Sequence, residues 1–278
     1  MRLDLDSDKN GIYSKDTGKR VASRMPWARY VFRSIEDGRT ILSRVYKVSY
    51  FASENDSAMQ ELETIFKLQQ AGVAGVPKIC RVGILERGGL WAELEGIENA
   101  RSLDREIFGR VPRFFDVMIK AAESLKAIHA QDVVHGDVKP ANILINDQQE
   151  IEWIDFEQEM FSEGFSALDE ENRPIIENRG RDTDTFSFIM TLACMMDELM
   201  QGRAVSDEVK PLFQQLRDGY LDFIFEKIPG RVHYPRSSEP FKYFPEGFIQ
   251  KSRSQWPRDM EIILQKLRSD RELYIFIS

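Results

Sequence analysis

The sequence predicts an α+β protein in two parts, a smaller strand-rich portion followed by a larger helical one. Three observations carry that expectation. Tyr30–Ile35 and Thr40–Val48 are runs rich in β-branched and aromatic residues around the turn Glu36-Asp37-Gly38-Arg39, which reads as a hairpin. Within Phe114–Ala130, residues Met118, Ala121, Ala122, Leu125 and Ile128 fall at three- and four-residue steps and form one apolar helix face. Between them in character lies Val134–Phe156, an apolar run, a polar turn and a second apolar run, which presents Asp137 and Asp155 to one cleft.

A chain of 278 residues makes one large domain or two lobes at roughly 100–200 residues per domain. Hydrophobic residues at 42% and charged residues at 30% fit a globular protein with room for a core. The net charge of -8 argues against a nucleic-acid binder or a membrane-surface binder, since both want a basic face. No apolar run approaches the ~18 residues of a membrane span, and Met1-Arg2-Leu3-Asp4-Leu5-Asp6 lacks the apolar core of a signal peptide. Cys80 and Cys194 lie far apart in apolar surroundings and read as buried thiols in a reducing compartment. The expected setting is cytoplasmic, and a protein delivered into a host cytosol without a classical signal peptide would look the same.

Taken in order, residues 1–28 are polar and read as irregular. After the hairpin, Ser57–Gln70 is a helix whose apolar side is Leu62, Ile65, Phe66 and Leu68, stopped by Gly72, Gly75 and Pro77. Residues 77–83, 84–86 and 90–94 read as strands, with Gly88-Gly89 as a turn, and Ser102-Leu103-Asp104 opens a short helix. Beyond Asp155 an acidic loop runs to Gly180. An apolar helix follows from about Arg181 to Met200, and Asp184 near its start is suited to cap it. Residues 205–228 and 257–269 read as further amphipathic helices around a Pro- and aromatic-rich stretch.

The densest chemistry is in Val134-His135-Gly136-Asp137-Val138-Lys139-Pro140-Ala141-Asn142, with Asp155 thirteen residues on in Trp153-Ile154-Asp155-Phe156-Glu157. An acid, a cation, an amide and a second acid suit phosphoryl transfer, where the protein positions metal and nucleophile more than it supplies covalent chemistry. An Asp followed five residues later by Asn, then Asp-Phe on the next strand, resembles the catalytic loop and metal-binding motif of the protein kinase superfamily. The longer string Ala127 to Leu144 resembles eukaryotic-like Ser/Thr kinases. The resemblance covers about residues 30–200 and is strongest over 115–160.

It implies a bilobal fold: an N-terminal segment over 1–28, a small β-rich lobe over 29–95 and a helical lobe over 96–278. It implies ATP with Mg2+ (or Mn2+) as cofactors and a protein hydroxyl as substrate. Carried over residue by residue, Asp137 is the catalytic base and Lys139 steadies the transferring phosphoryl group. Asn142 and Asp155 hold the metal. Lys47 takes the α- and β-phosphates, with Glu61 as its ion-pair partner and Glu63 as the fallback. Glu93 and Glu95 mark the hinge, where main-chain groups hold the adenine. Asp184 braces the catalytic loop, and His129 and His135 are core histidines that shape it.

The chain also departs from the pattern. It has no Gly-x-Gly-x-x-Gly, and Ser14–Arg20 is the nearest phosphate-contacting stretch. Gly136 replaces an arginine that pairs with phosphorylated activation segments, so switching by that route is not expected. Glu157 replaces the usual glycine and no Ala-Pro-Glu follows. Gly136 and the Ile-Asp-Phe-Glu ending also resemble small-molecule kinases of the choline and aminoglycoside phosphotransferase type, for which Glu163–Glu171 would supply an acidic pocket. Lys139-Pro140 and the Asp184-x-x-Ser187 helix start favour the protein-kinase branch. The missing glycine loop suggests a third class, a pseudokinase binding module. The compact form also resembles kinases that some bacteria deliver into hosts as effectors, and it leaves room for an activating protein partner.

Overall fold

The two runs rich in β-branched and aromatic residues on either side of Asp37-Gly38 pair as the expected hairpin. Strand β4 (Tyr30–Glu36) pairs antiparallel with β5 (Arg39–Tyr46), and Glu36 faces Arg39 across a two-residue loop. The computed structural model describes residues 5–8, 11–14, 20–23, 30–36, 39–46, 52–84, 90–97, 100–105, 108, 110–156, 180–202, 204–227 and 248–277. The chain divides into two compact units, one of residues 1–100 with 146–152, the other of residues 101–145 with 153–278.

In the first unit β4 and β5 join β6 (Lys78–Ile84) and β7 (Leu90–Glu95) in a four-stranded antiparallel sheet of order β4-β5-β7-β6. The two strands expected over 77–86 are thus one strand, while Gly88-Gly89 lies outside the described residues. The polar segment 1–28, expected to be irregular, carries β1 (Leu5–Asp8), β2 (Gly11–Ser14) and β3 (Arg20–Ser23) as a separate antiparallel sheet. Helix α1 (Ala52–Gln70) buries Leu62, Ile65 and Leu68 and leaves Phe66 exposed. Leu62 packs with Ala92 and Leu94 of the sheet. Gly72 ends the helix at φ 68°, and the Val73 N–H turns back to the Leu68 carbonyl at 3.0 Å. That is a left-handed cap that glycine adopts without a Cβ penalty.

The second unit is mainly helical. Helices α2 (Val111–His129), α3 (Arg181–Gln201), α4 (Lys210–Leu221) and α5 (Met260–Ile277) surround short strands. Those strands are β8 (Arg101–Ser102) and β9 (Ile143–Ile145), paired antiparallel, and the pair β11 (Phe225–Lys227) and β12 (Phe248–Gln250); β10 (Ile151–Trp153) enters this unit at Trp153. The expected apolar face of α2 is buried at Met118, Ala121, Ala122, Leu125 and Ile128. Phe114 and Phe115 of α2 meet Phe213 of α4 edge-on at 6.4 and 6.1 Å, and Tyr274 of α5 closes the group against Phe115 and Phe213. Such pairs add about 0.5–1.5 kcal/mol each beyond area burial. Helix α5 runs to Ile277, further than the expected 257–269, and Tyr274 in that extension is buried on the aromatic group while Leu273, Ile275 and Phe276 are exposed. Helix α3 is buried nearly all round, as its lack of a polar face requires. Among the described residues no helix is long and apolar enough to cross a membrane.

Candidate active site

The turn after α2 cannot close as helix, because the chain must reverse into β9 within thirteen residues. Its backbone N–H groups therefore need partners. Asp184, one turn inside α3, supplies them. Its Oδ2 accepts from the His135 N–H at 2.7 Å and its Oδ1 from the Gly136 N–H at 2.9 Å. His129 Nε2 stands 2.8 Å from the same Oδ2. The helix start itself is closed by Thr183, whose hydroxyl accepts from the Gly180 N–H at 2.9 Å. Asp184 thus holds the loop instead of capping its own helix, as the family resemblance implies. Gly136 sits at φ 84°, where a side chain would be strained. Nearby, burial would raise the Asp182 carboxyl, but the Arg253 guanidinium, at 2.7 and 3.0 Å, outweighs this and holds it below its ordinary value.

The bracing leaves Asp137 with its carboxylate 3% exposed. Its Oδ2 accepts from Asn142 Nδ2 at 2.8 Å and faces Lys139 Nζ at 2.7 Å. Asn142 Nδ2 also donates to the Asp137 carbonyl at 2.9 Å. Asn142 Nδ2 is therefore committed to Asp137, and the side-chain Oδ1 of Asn142 is the group left available to a cation. Asp137 Oδ1 is buried and has no hydrogen-bond partner. An unpaired buried acceptor costs about 1–3 kcal/mol, more when charged, so its retention asks for a use.

Asp155 lies two residues past the end of β10. The Ile154 N–H donates to the Asn142 carbonyl at 3.0 Å, which ties the end of β10 to the loop, and Asp155 adopts φ 60°. His135 is fully buried between Trp153 and Phe156. Its Nδ1 accepts from the Asp137 N–H at 3.3 Å. Burial pushes its pKa down against the pull of Asp184, Asp137 and Asp155, so the ring is a neutral core group. Asp137, Lys139, Asn142 and Asp155 all belong to the second unit.

The remaining candidates belong to the first unit. Lys47 lies outside the described residues, as do residues 157–179 and 15–19. Glu61 is buried on the inner side of α1, whereas Glu63 faces solvent. Glu93 is buried and ion-paired to Arg81 on the neighbouring strand, and Glu95 pairs with Lys78 at 3.3 Å. Both hinge carboxylates are thus occupied across the sheet. Cys80, expected to be buried, is exposed, because the register slips between Ile79 and Arg81 and turns it outward. Cys194 is half-buried, and desolvation pushes its thiol pKa up. Trp153, to which the sequence alone assigns no role, is fully buried beside His135.

The model of the protein kinase domain family matches residues 43–167. A mitogen-activated protein kinase of Wallemia sebi is 29% identical over 177 residues, which are 54% of this chain and 62% of that protein. The probable serine/threonine-protein kinase PknB of Corynebacterium glutamicum is 30% identical over 129 residues, 41% of this chain and 20% of that protein. A probable serine/threonine-protein kinase of Dictyostelium discoideum is 37% identical over 70 residues, 24% and 5% respectively. The chain spans less than two thirds of the length of each of these relatives.

Proposed function

We propose, for a chain that belongs to the eukaryotic-like protein kinase superfamily, that it transfers the γ-phosphate of ATP to a Ser or Thr hydroxyl of a protein. The observation that carries this reading is the state of Asp137. One carboxylate oxygen is pinned by Asn142 and Lys139, and the other is buried and unclaimed. A carboxylate so held can accept the proton of an incoming hydroxyl as its oxygen attacks the γ-phosphorus and the bond to the β-phosphate oxygen breaks. In this reading Lys139 would balance charge on the moving phosphoryl group.

The carbonyl of Asn142 and the carboxylate of Asp155 are hard oxygen donors, the kind that Mg2+ or Mn2+ takes together with phosphate and water oxygens. In this reading the cation is one shared with nucleotide. When bound, it would neutralise phosphate charge. Lys47 and Glu61 complete the reading as the phosphate-binding lysine and its partner. Main-chain groups near Glu93 and Glu95 would receive the adenine. The acidic net charge and the two unpaired thiols suit a cytoplasmic setting with protein substrates.

The test is transfer of labelled phosphate from ATP with Mg2+ or Mn2+ to a generic protein mixture, comparing the wild type with Asp137→Asn. Transfer by the wild type, falling by about 10²–10⁴ in the variant while nucleotide still binds, is expected for loss of a general base. Equal transfer by both would remove Asp137 from the role. Nucleotide binding with no transfer to protein by either would count against this reading and leave a small-molecule kinase, a missing activator or a binding module to be told apart.

A further inference from the structure

Trp153 is the largest fully buried side chain described, and its indole Nε1 has no hydrogen-bond partner. A Phe at this place would bury a ring without that unpaired donor, so the feature to test is the ring edge and not the indole N–H. One side meets the His135 ring edge-on, with centroids 5.1 Å apart at 63°. It also lies 6.5 Å from Phe188 of α3. Three residues on, Phe156 lies against the same imidazole at 4.7 Å and 36°.

Between these aromatics is Asp155 at φ 60°. A non-glycine residue in the left-handed region costs on the order of 1 kcal/mol and persists only where its surroundings fix it. Here the chain on both sides of Asp155 grips one ring. That ring, through Nδ1, accepts from the main-chain N–H of Asp137.

We infer that Trp153 is a positioning residue: with Phe156 it clasps His135, and so sets the backbone of Asp155 relative to that of Asp137. The roles of the two acids rest on the functional reading above; the clasp does not.

The test compares amide hydrogen exchange in the full chain, without ligand, for the wild type, Trp153→Phe and Trp153→Leu. In the Leu variant, exchange at the Asp137 and Ile154 amides rises roughly three- to tenfold, the worth of one aromatic pair in local opening. Amides of α2 and α5 stay within about twofold, as expected for independent cooperative units. Trp153→Phe keeps a ring edge and stays near the wild type. The Mn2+ concentration for half-maximal nucleotide binding rises by a similar factor in the Leu variant alone.

No change at those two amides, or an equal rise across all helices, would reduce Trp153 to ordinary packing and overturn the inference. If the Leu variant does not fold, Trp153→Met fills the space without a ring edge and carries the same comparison. A wild type that binds no nucleotide with Mn2+ overturns the kinase reading, and the exchange pattern still decides the clasp.

Discussion

Asp184 and Glu123 are both helix carboxylates of the second unit, and they hold the molecule in opposite ways. Asp184 is 2% exposed and receives two main-chain N–H groups of the loop beside His129. Glu123 has a half-exposed side chain and meets Arg268 of α5 at 2.6 Å. The distances are alike; the surroundings decide the worth. Removing the buried carboxylate strands donors that water cannot reach, whereas removing the exposed one returns its partner to solvent. Asp184→Ala should therefore cost about 3–5 kcal/mol of stability, read from the urea midpoint. A loss below about 1 kcal/mol, the range of exposed pairs, would show that the loop is held by something else.

A proton can probe the same buried side. Desolvation lowers the His135 pKa below its ordinary 6.5 in the folded chain, so the unfolded chain binds the extra proton first as pH falls. Stability should rise with pH between the folded value and 6.5, by at most about 1.4 kcal/mol per unit, and level off above. Urea midpoints from acid to neutral pH check this, and His135→Asn, which cannot titrate, should lack the slope. A smaller effect comes from the backbone. Gly136→Ala places a Cβ at φ 84° and should cost about 1–2 kcal/mol by the same midpoint. No change would mean that the loop relaxes out of the left-handed region, and that Asp184 does not fix it.

The braced loop was the legible part of the sequence, because its groups are consecutive. Asp137, Lys139 and Asn142 lie within six residues, so their meeting follows from one turn and a 3-10 step at Pro140–Asn142. The Asp184 brace was legible only through the family resemblance; from the residues alone it is a helix cap. Trp153 was not legible at all, since nothing local distinguishes an aromatic that grips a histidine from one that fills space. The strands within 5–23 were missed for a different reason. Leu5–Asp8, Gly11–Ser14 and Arg20–Ser23 are four residues each and show no period of two. The outward turn of Cys80 depends on a register slip against β7, a pairing property that composition does not carry.

The exposed side of the comparison gives the smallest effect. Along the antiparallel pair α2 and α5, Asp116 meets Arg271, Glu123 meets Arg268 and Lys126 meets Glu261, at 2.5, 2.6 and 2.6 Å. Each joins side chains that solvent reaches, so each returns little beyond the cost of holding two long chains still. Glu123→Gln should shift stability by less than about 1 kcal/mol, and the shift should shrink further as salt rises. The helices would stay together because Phe115, Phe213 and Tyr274 remain packed beneath the charges. A loss for Glu123→Gln as large as that for Asp184→Ala would invert the comparison and make the charged seam, not the aromatic group, the element that fixes α5.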